Sequence, residues 1–376
     1  MLLLGCSPET SPEQQLLKQA QTQAPAARQL AQQRLANNEL TAALKWFQQA
    51  ALLGDSTALT HALQLQQRLY GRLATADWLQ QQWLSGRIAT AAVSPTERAT
   101  LGLWPAEQQL TQEQGYKAAA GCNVTIQPVA SQQAGVARWQ YLQAAWQHDA
   151  KLAQLPVCFK PLLRMDATVL RCTEQLEQRI ECQYQQLSEQ VLQGDFNQLL
   201  IIAGRGIASF NNGIMQLPDT ADLALLQHEF LHIAGFIDEY RLSAAAARSV
   251  CKAGRIAPNL LVGKDAQTLA RYQQRFGMRP EQLTPVASCD ALGLQAYRPI
   301  AEAGPMQHYQ LALPQTYFDL LRQELARPER LMPVQYYFAF LARQQQAWPE
   351  WQALMQQAAS QGYDDAIAAL QYQVAD

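Results

Sequence analysis

The chain has 376 residues, of which 48% are hydrophobic and 16% are charged, so it predicts a folded protein with two or three domains and excludes a disordered tail. Its 29 basic and 31 acidic residues give a net charge of −2, which argues against a nucleic-acid-binding protein with its basic surface field. Beyond the first few residues, no sequence segment is long and apolar enough to cross a membrane.

The N-terminus, "MLLLGCSPETSPEQQ", has a short apolar run, then Leu4, Gly5 and Cys6, then polar residues. Leu-x-Gly-Cys resembles the bacterial lipobox, in which a signal peptide is cut before the cysteine and that cysteine is lipidated. The resemblance implies a protein of the bacterial periplasm or cell envelope, tethered to the membrane through Cys6. The apolar run is too short for a signal peptide and lacks a basic region, so we expect an upstream start or a trimmed chain. The alternative is a chance Gly-Cys pair. We assign residues 1–25 to this remnant and a linker.

Residues 26–104 predict a helical domain, because apolar residues recur there at three- and four-residue spacing. The stretch "KWFQQAALLGDSTALTHAL" resembles SEL-type, tetratricopeptide-like repeats, with Gly54 ending one helix. Residues 46–59 align with residues 354–367, which leaves common ancestry and convergence both open. Such units bind partners or pack against a neighbouring domain, so a protein partner is one expectation. Residues 321–376 predict a C-terminal helical cap.

Six cysteines besides the lipobox residue predict an oxidising compartment and up to three disulfides. Cys172 and Cys182 flank a short stretch that a hairpin or helix-turn can close, whereas Cys251 and Cys289 can fix the lobe after the histidine motif described below. Fifteen pairings are possible, so these two are hypotheses. The six are Cys122, Cys158, Cys172, Cys182, Cys251 and Cys289.

Residues 105–320 predict a mixed α+β domain, since β-branched or alternating segments bounded by Gly, Pro or Asn surround one helical pattern at 136–154. The stretch 198–218 predicts two strands joined by a Gly/Asn-rich connection, which delivers the chain to the histidine motif. The predicted strands are 123–130, 167–172, 179–185, 198–204 and 212–218.

The segment "TADLALLQHEFLHIAGF" predicts a helix that Thr220 caps and that carries Asp222 in its first turn. His228 and His232 lie one turn apart on one face, so both imidazoles can bind a single zinc ion. Glu229, next to the first histidine, can face the open position of that ion and accept a proton from water.

Gly235 follows His232 by three residues and lets the helix break, because glycine tolerates a positive φ. The chain can then turn back and offer Asp238 as a third ligand. The pattern H-E-x-x-H-x-x-G-x-x-D over residues 228–240, ending in Asp-Glu-Tyr, resembles the metzincin metallopeptidases in their snapalysin-type and IgA-peptidase-like variants. The resemblance implies a metzincin-like domain with one catalytic zinc bound by two histidines and the aspartate, and the glutamate as general base.

Metzincins also carry a methionine turn beneath the zinc, and "AEAGPMQHYQLALP" offers Met306 for it. Met278 and Met215 are weaker candidates. Tyr309 is a candidate for polarising the substrate carbonyl or stabilising the oxyanion. Two rival third ligands stay open, and these are Glu239 and His308.

Two functions from different classes follow. The first is a zinc-dependent endopeptidase of the cell envelope, with "NNGIMQLP" (211–218) as the edge strand to which a substrate peptide adds. The alternative is a periplasmic partner-binding lipoprotein whose zinc motif is structural or vestigial. The intact Glu229 favours the enzyme, because a purely structural site needs no base. Hydrolysis of a non-protein amide, such as a cell-wall crosslink, uses the same chemistry and remains open.

Overall fold

The computed structural model describes residues 11–104, 114–280 and 282–373. Their secondary structure is mixed α+β, as predicted. The helices are α1 Pro12–Ala20, α2 Ala24–Ala36, α3 Leu40–Leu52, α4 Ser56–Leu84, α5 Pro95–Leu101, α6 Gln133–His148, α7 Ala167–Leu170, α8 Ser188–Gln193, α9 Leu223–Ile233, α10 Ala244–Val250, α11 Ala266–Phe276, α12 Gln315–Leu325, α13 Val334–Gln344, α14 Trp348–Ser360 and α15 Asp364–Gln373. The strands are β1 Val124–Ala130, β2 Val157–Phe159, β3 Leu163–Arg164, β4 Glu174–Arg179, β5 Gln198–Ile202, β6 Arg205–Ile207, β7 Ser209–Asn211, β8 Ile214–Leu217, β9 Ile256–Ala257, β10 Leu260–Val262, β11 Thr284–Val286 and β12 Ala296–Arg298.

The chain forms two compact units. The first contains the described residues up to Trp104 together with Asp166–Arg171 and is helical. In it, α2, α3 and α4 pack through small residues such as Ala27, Ala43 and Ala62, which are fully buried and let the helices approach closely. No helix in the described parts of either unit has the length and apolarity that a membrane span requires.

The segment 167–172, predicted as a strand, is instead the short helix α7 of the first unit. Its backbone is anchored there, because the Ala167 amide donates to the Gly102 carbonyl at 2.9 Å. The Arg171 guanidinium donates two hydrogen bonds to the Asp77 carboxylate, at 2.8 and 3.0 Å. These tertiary contacts override the weak strand preference of a β-branched segment.

The second unit is built on a sheet in the order β2-β1-β5-β8-β7, with β3 also paired to β1. All pairs are parallel except β7 with β8, which is antiparallel. Every residue of β5 and of β8 is buried, which fits strands covered on both faces. The helix α6 covers β1, and its Trp146 ring contacts Phe159 of β2 and Phe230 of α9 at centroid distances of 5.3 and 4.9 Å.

The predicted strands at 123–130, 198–204 and 212–218 are confirmed as β1, β5 and β8. The stretch 198–218 holds four strands rather than two, and β8 is not an edge strand. Asn212 and Gly213 both have a positive φ, 51° and 78°, and form a two-residue hairpin turn that folds β7 onto β8. The edge strand on this side of the sheet is therefore β7.

The predicted strand 179–185 is wrong. The extended segment lies earlier, as β4, and pairs with β6 in a separate two-stranded sheet. The chain after it turns back because Cys182 is bonded to Cys172, and the backbone then enters a 3-10 helix at Tyr184–Leu187.

A second lobe follows α9 and is organised by the antiparallel sheet β11-β12-β10-β9. The last helices, α12 to α15, follow it, and the predicted boundary at residue 320 falls inside α12. Both copies of the predicted repeat form a helix–turn–helix whose glycine has a positive φ, 96° at Gly54 and 87° at Gly362.

Candidate metal centre

The helix α9 carries three of the predicted site residues. It begins one residue after Asp222, whose carboxylate accepts the Leu225 amide at 2.8 Å. The N-cap is therefore Asp222 and not Thr220, because the aspartate lies in extended backbone directly before the first helical turn. Phe230 is fully buried against Trp146, so the helix cannot rotate without losing that packing.

Both imidazoles are held through their Nδ1 atoms. Nδ1 of His228 lies 2.9 Å from the carbonyl oxygen of Pro305, and Nδ1 of His232 lies 2.9 Å from that of Phe236. A carbonyl only accepts, so each Nδ1 carries the proton and donates it. In the neutral rings, the two Nε2 atoms consequently offer free lone pairs, which is the form that binds a metal.

Asp238 is brought to those two nitrogen atoms by a turn at Gly235. The glycine has φ 79°, and a Cβ there would meet no atom within 4 Å. The backbone conformation, rather than a lack of space, therefore requires glycine, as the sequence predicted. Oδ1 of Asp238 lies 3.3 Å from Nε2 of His228 and 3.4 Å from Nε2 of His232.

These three atoms form a donor set that suits a cation. Oδ1 of Asp238 is buried and has no hydrogen-bond partner of good geometry, so it needs positive charge nearby. Burial alone would raise the pKa of Asp238, but the two imidazoles outweigh it and lower that pKa strongly. Burial opposes the charged form of His232, yet the Asp238 carboxylate raises its pKa overall. Two imidazole nitrogens and one carboxylate oxygen are the ligand types of a catalytic zinc site.

Glu229 lies beside this donor set. It is 4% exposed, and its carboxylate and the two imidazoles each offer an atom within 4.8 Å of the others. Burial raises the pKa of Glu229, although the neighbouring His232 and His228 oppose that shift. A carboxylate whose pKa is raised towards neutrality is suited to accept a proton and return it.

Glu239, a rival third ligand, is committed elsewhere. Its side chain is fully buried and accepts hydrogen bonds from the Tyr317 hydroxyl at 2.5 Å and from the Asn259 amide at 2.9 Å. The Arg298 guanidinium lies 3.5 Å away and also donates to Gln307 at 2.5 Å. The carboxylate therefore serves a buried polar network that fixes the backbone directly after Asp238.

Met306 is fully buried in the loop beneath the histidines. The carbonyl of the preceding Pro305 accepts from His228, and the Met306 carbonyl accepts the Glu239 amide at 2.8 Å. This one loop thus contacts both a histidine and the segment that carries the aspartate. The other two candidates for the turn lie elsewhere, Met215 within β8 and Met278 against the Tyr272 hydroxyl.

His308 and Tyr309 are exposed and line a cavity of about 370 Å³ that also borders His228 and Glu229. Tyr240, whose role the sequence did not suggest, lines the same cavity, and burial together with the Asp238 carboxylate raises the pKa of its hydroxyl. The one sequence feature that could have marked Tyr240 as a site residue is its position two residues after Asp238 in the motif.

Arg179 is a second neighbour of the site that sequence patterns missed. It ends β4 and lines the central cavity of about 220 Å³ together with Glu229 and Asp238. No short-range motif marks it, because a separate pair of strands brings it to the site.

Three disulfides are present, which indicates a protein that resides outside the reducing cytoplasm. The two predicted pairs, Cys172–Cys182 and Cys251–Cys289, are confirmed, and the third joins Cys122 to Cys158. Next to Cys289, the Ser288 hydroxyl donates to the Asp238 carbonyl at 2.6 Å. Cys6 lies outside the described residues.

The candidate metal centre lies in the middle of a cleft beside β7. Residues 207–210 follow the cleft in order: Ile207 and Ala208 border the Tyr309 cavity, Ala208 to Phe210 border the central cavity, and Phe210 borders a third cavity of about 730 Å³. The outer edge of β7 has no partner strand among the described residues. An extended chain can therefore lie along the cleft.

Comparisons of the chain with family models, with curated proteins and with solved structures return no match. The function must therefore be argued from the site itself.

Proposed function

We propose that this protein is a zinc-dependent endopeptidase of the bacterial cell envelope. The observation that carries the proposal is the position of Oδ1 of Asp238, which lies 3.3 Å from Nε2 of His228 and 3.4 Å from Nε2 of His232, next to the buried carboxylate of Glu229. A structural zinc site closes its fourth position with a protein ligand and has no use for a base, whereas a catalytic site keeps that position open.

The residues that would hold the zinc are the two histidines and Asp238. Zinc supplies Lewis-acid polarisation of water and of a substrate carbonyl. Glu229 takes a proton from the attacking water and passes it to the leaving amine nitrogen, which its raised pKa favours. Tyr309, or Tyr240 in the same cavity, donates a hydrogen bond to the oxyanion. Comparing kcat of Tyr309→Phe with that of Tyr240→Phe assigns this role.

The substrate would be an extended peptide that adds to β7. The edge of this strand presents main-chain groups along the cleft, and strand addition satisfies them with substrate hydrogen bonds. The substrate-binding role predicted for "NNGIMQLP" is therefore assigned to the preceding strand, β7. Backbone recognition of this kind suits an unstructured region of a protein better than a folded one.

The test compares wild type with Glu229→Ala, each checked for bound zinc, on casein and on a periplasmic extract. Mass spectrometry should find new peptide termini with the wild type, and the variant should be slower by about 10²–10⁴-fold because it lacks the base. New termini that are equally abundant with the variant would overturn the mechanism. No cleavage by either protein, with zinc in both, would favour the partner-binding lipoprotein instead.

We also propose that Cys6 carries the membrane anchor. The lipobox-like Leu4-Gly5-Cys6 and the oxidised cysteines both fit an exported lipoprotein. In cells, Cys6→Ser in a chain that follows a complete signal sequence should move the protein from the membrane to the soluble fraction. Unchanged membrane association would contradict the anchor.

A further inference from the structure

Five arginines line the third cavity of the cleft. It begins at Phe210, His232 and Gly235, so one end borders the metal centre. With a volume of about 730 Å³, it is large enough for several amino-acid side chains. Its charged lining residues are Arg255, Arg271, Arg275, Arg327, Arg330 and Glu324.

Part of this positive charge is already neutralised. The Glu324 carboxylate accepts two hydrogen bonds from Arg275, one of them at 2.8 Å, so these two charges cancel. Arg271 donates to the Gly254 carbonyl, and Arg330 has Glu329 at 3.9 Å.

Two arginines remain uncommitted. The guanidinium groups of Arg255 and Arg327 have no hydrogen-bonded or ionic partner among the described residues. Arg255 follows α10, and Arg327 follows α12, so two separate elements present cations to one space. Guanidinium groups bind carboxylates and phosphates in a bidentate manner, and the carboxylate is the anionic group that an unmodified peptide carries, so a carboxylate is the peptide group that fits this space.

The two ends of the cleft differ in charge. The cavity at the Tyr309 end has no lysine or arginine among its lining residues. A peptide that lies along residues 207–210 advances by about 3.3 Å per residue, so side chains on one side of the scissile bond reach the arginine-lined cavity. Apart from Arg179 in the central cavity, the arginines and lysines that line the cleft therefore lie at one end of it.

We propose that the arginine-lined cavity selects substrates by a carboxylate on one side of the scissile bond. The proposal rests on the proposed peptidase function and names its substrate class. The carboxylate comes either from aspartate and glutamate side chains or from the C-terminus of the substrate. The first source predicts internal cleavage near acidic runs, and the second predicts trimming from the end.

The test measures binding apart from turnover. Zinc-loaded Glu229→Ala protein is titrated, by fluorescence polarisation, into peptides that differ only in an acidic run or its Asn/Gln counterpart, each with a free or an amidated C-terminus. The acidic run should bind about tenfold more tightly, and the difference should shrink in high salt. A preference that follows the free C-terminus instead assigns the carboxylate to the chain end.

Charge reversal identifies the cavity. Arg255→Glu and Arg327→Glu, made in the Glu229→Ala background, should each remove most of the acidic preference. Arg343→Glu, an exposed arginine that lines none of the three cavities, should keep it. Zinc content and melting temperature show that each variant is folded, and Arg255→Gln serves if the reversal unfolds the protein.

The two proposals fail in different ways. Equal binding of acidic and neutral peptides, or an acidic preference unchanged in both reversal variants, overturns the carboxylate cavity even if the wild type cleaves casein. If acidic peptides bind through Arg255 and Arg327 but the wild type cleaves nothing, the carboxylate-binding proposal stands and the peptidase proposal is wrong.

Discussion

The two halves of the candidate metal centre are held in different ways. The helix half, with His228, Glu229 and His232, is positioned by one turn of α9 and by the packing of Phe230 on Trp146. The loop half, with Asp238, does not lie in a helix. Its backbone is positioned by hydrogen bonds to residues far along the chain. A local motif therefore determines which candidate ligands occur, whereas long-range contacts determine whether the last of them, Asp238, reaches the two histidines.

Those long-range contacts converge on two neighbours of Asp238. The Ile237 amide donates to Asn259 at 2.9 Å, and Asn259 also binds Glu239. The Asp238 carbonyl itself accepts from Ser288. Because these partners come from separate segments, the loop half should be more sensitive than the helix half to mutations outside the motif.

The largest effect should come from Arg298→Met. It leaves the buried Glu239 carboxylate without its cation, so the free energy of unfolding should fall by about 3–5 kcal/mol and zinc should be lost. Removing the helix cap by Asp222→Ala should cost only about 1 kcal/mol. Denaturant unfolding measures both. If Arg298→Met lowers the free energy of unfolding by no more than Asp222→Ala does, the two halves do not differ in the way proposed.

The disulfides provide a matched pair of perturbations. Cys251 with Cys289 and Cys122 with Cys158 span 38 and 36 residues, so replacing either pair by serine should destabilise the fold to a similar extent, by about 2–4 kcal/mol. Only the first pair adjoins Ser288 and the Asp238 loop, so only its loss should also weaken zinc binding. Equal zinc affinity in the two double variants, measured under conditions where both are folded, would contradict this.

Asp238→Ala removes the ligand itself. Because changes to residues that merely support a ligand weaken zinc by about 10–100-fold, loss of the ligand should exceed that range. Competition with a chromogenic chelator measures the affinity, and Asp319→Ala, an exposed aspartate of α12, is the control. Full zinc retention in Asp238→Ala would return the third position to His308.

The smallest effect is in the pH dependence of zinc binding. The Asp238 carboxylate raises the pKa of His232 above 6.5 despite burial, and zinc must displace that proton. Affinity should therefore fall as the pH drops through the raised pKa, by about tenfold per unit for the one proton. In Asp238→Asn the zinc affinity should begin to fall at a lower pH, because the carboxylate that raises the pKa of His232 is gone. An unshifted profile would show that the loop does not act on the helix electrostatically.

Much of the site could be predicted from the sequence because its information is local. The spacing of the histidines, the glycine and the aspartate requires only a helix that ends at a positive-φ residue, and α9 and Gly235 meet that requirement. The prediction of a strand at 167–172 was wrong because this segment forms a short helix, whose Ala167 amide donates to the Gly102 carbonyl of the first unit. The prediction of 211–218 as the edge strand was wrong because the Asn212-Gly213 pair, although a strong turn signal, was not interpreted as a hairpin with a further strand before it.

From the amino-acid sequence we could predict the α+β class and the candidate ligands on α9, and could propose two of the three cysteine pairs, since each depends on periodicity, turn chemistry or spacing. Tertiary structure alone decided that Glu239 faces Arg298 rather than the metal centre, that β7 is the edge of the sheet, and that five arginines line one end of the cleft. The physical reason is that these features join residues from distant segments, and no short-range pattern records which side chains the folded chain brings together.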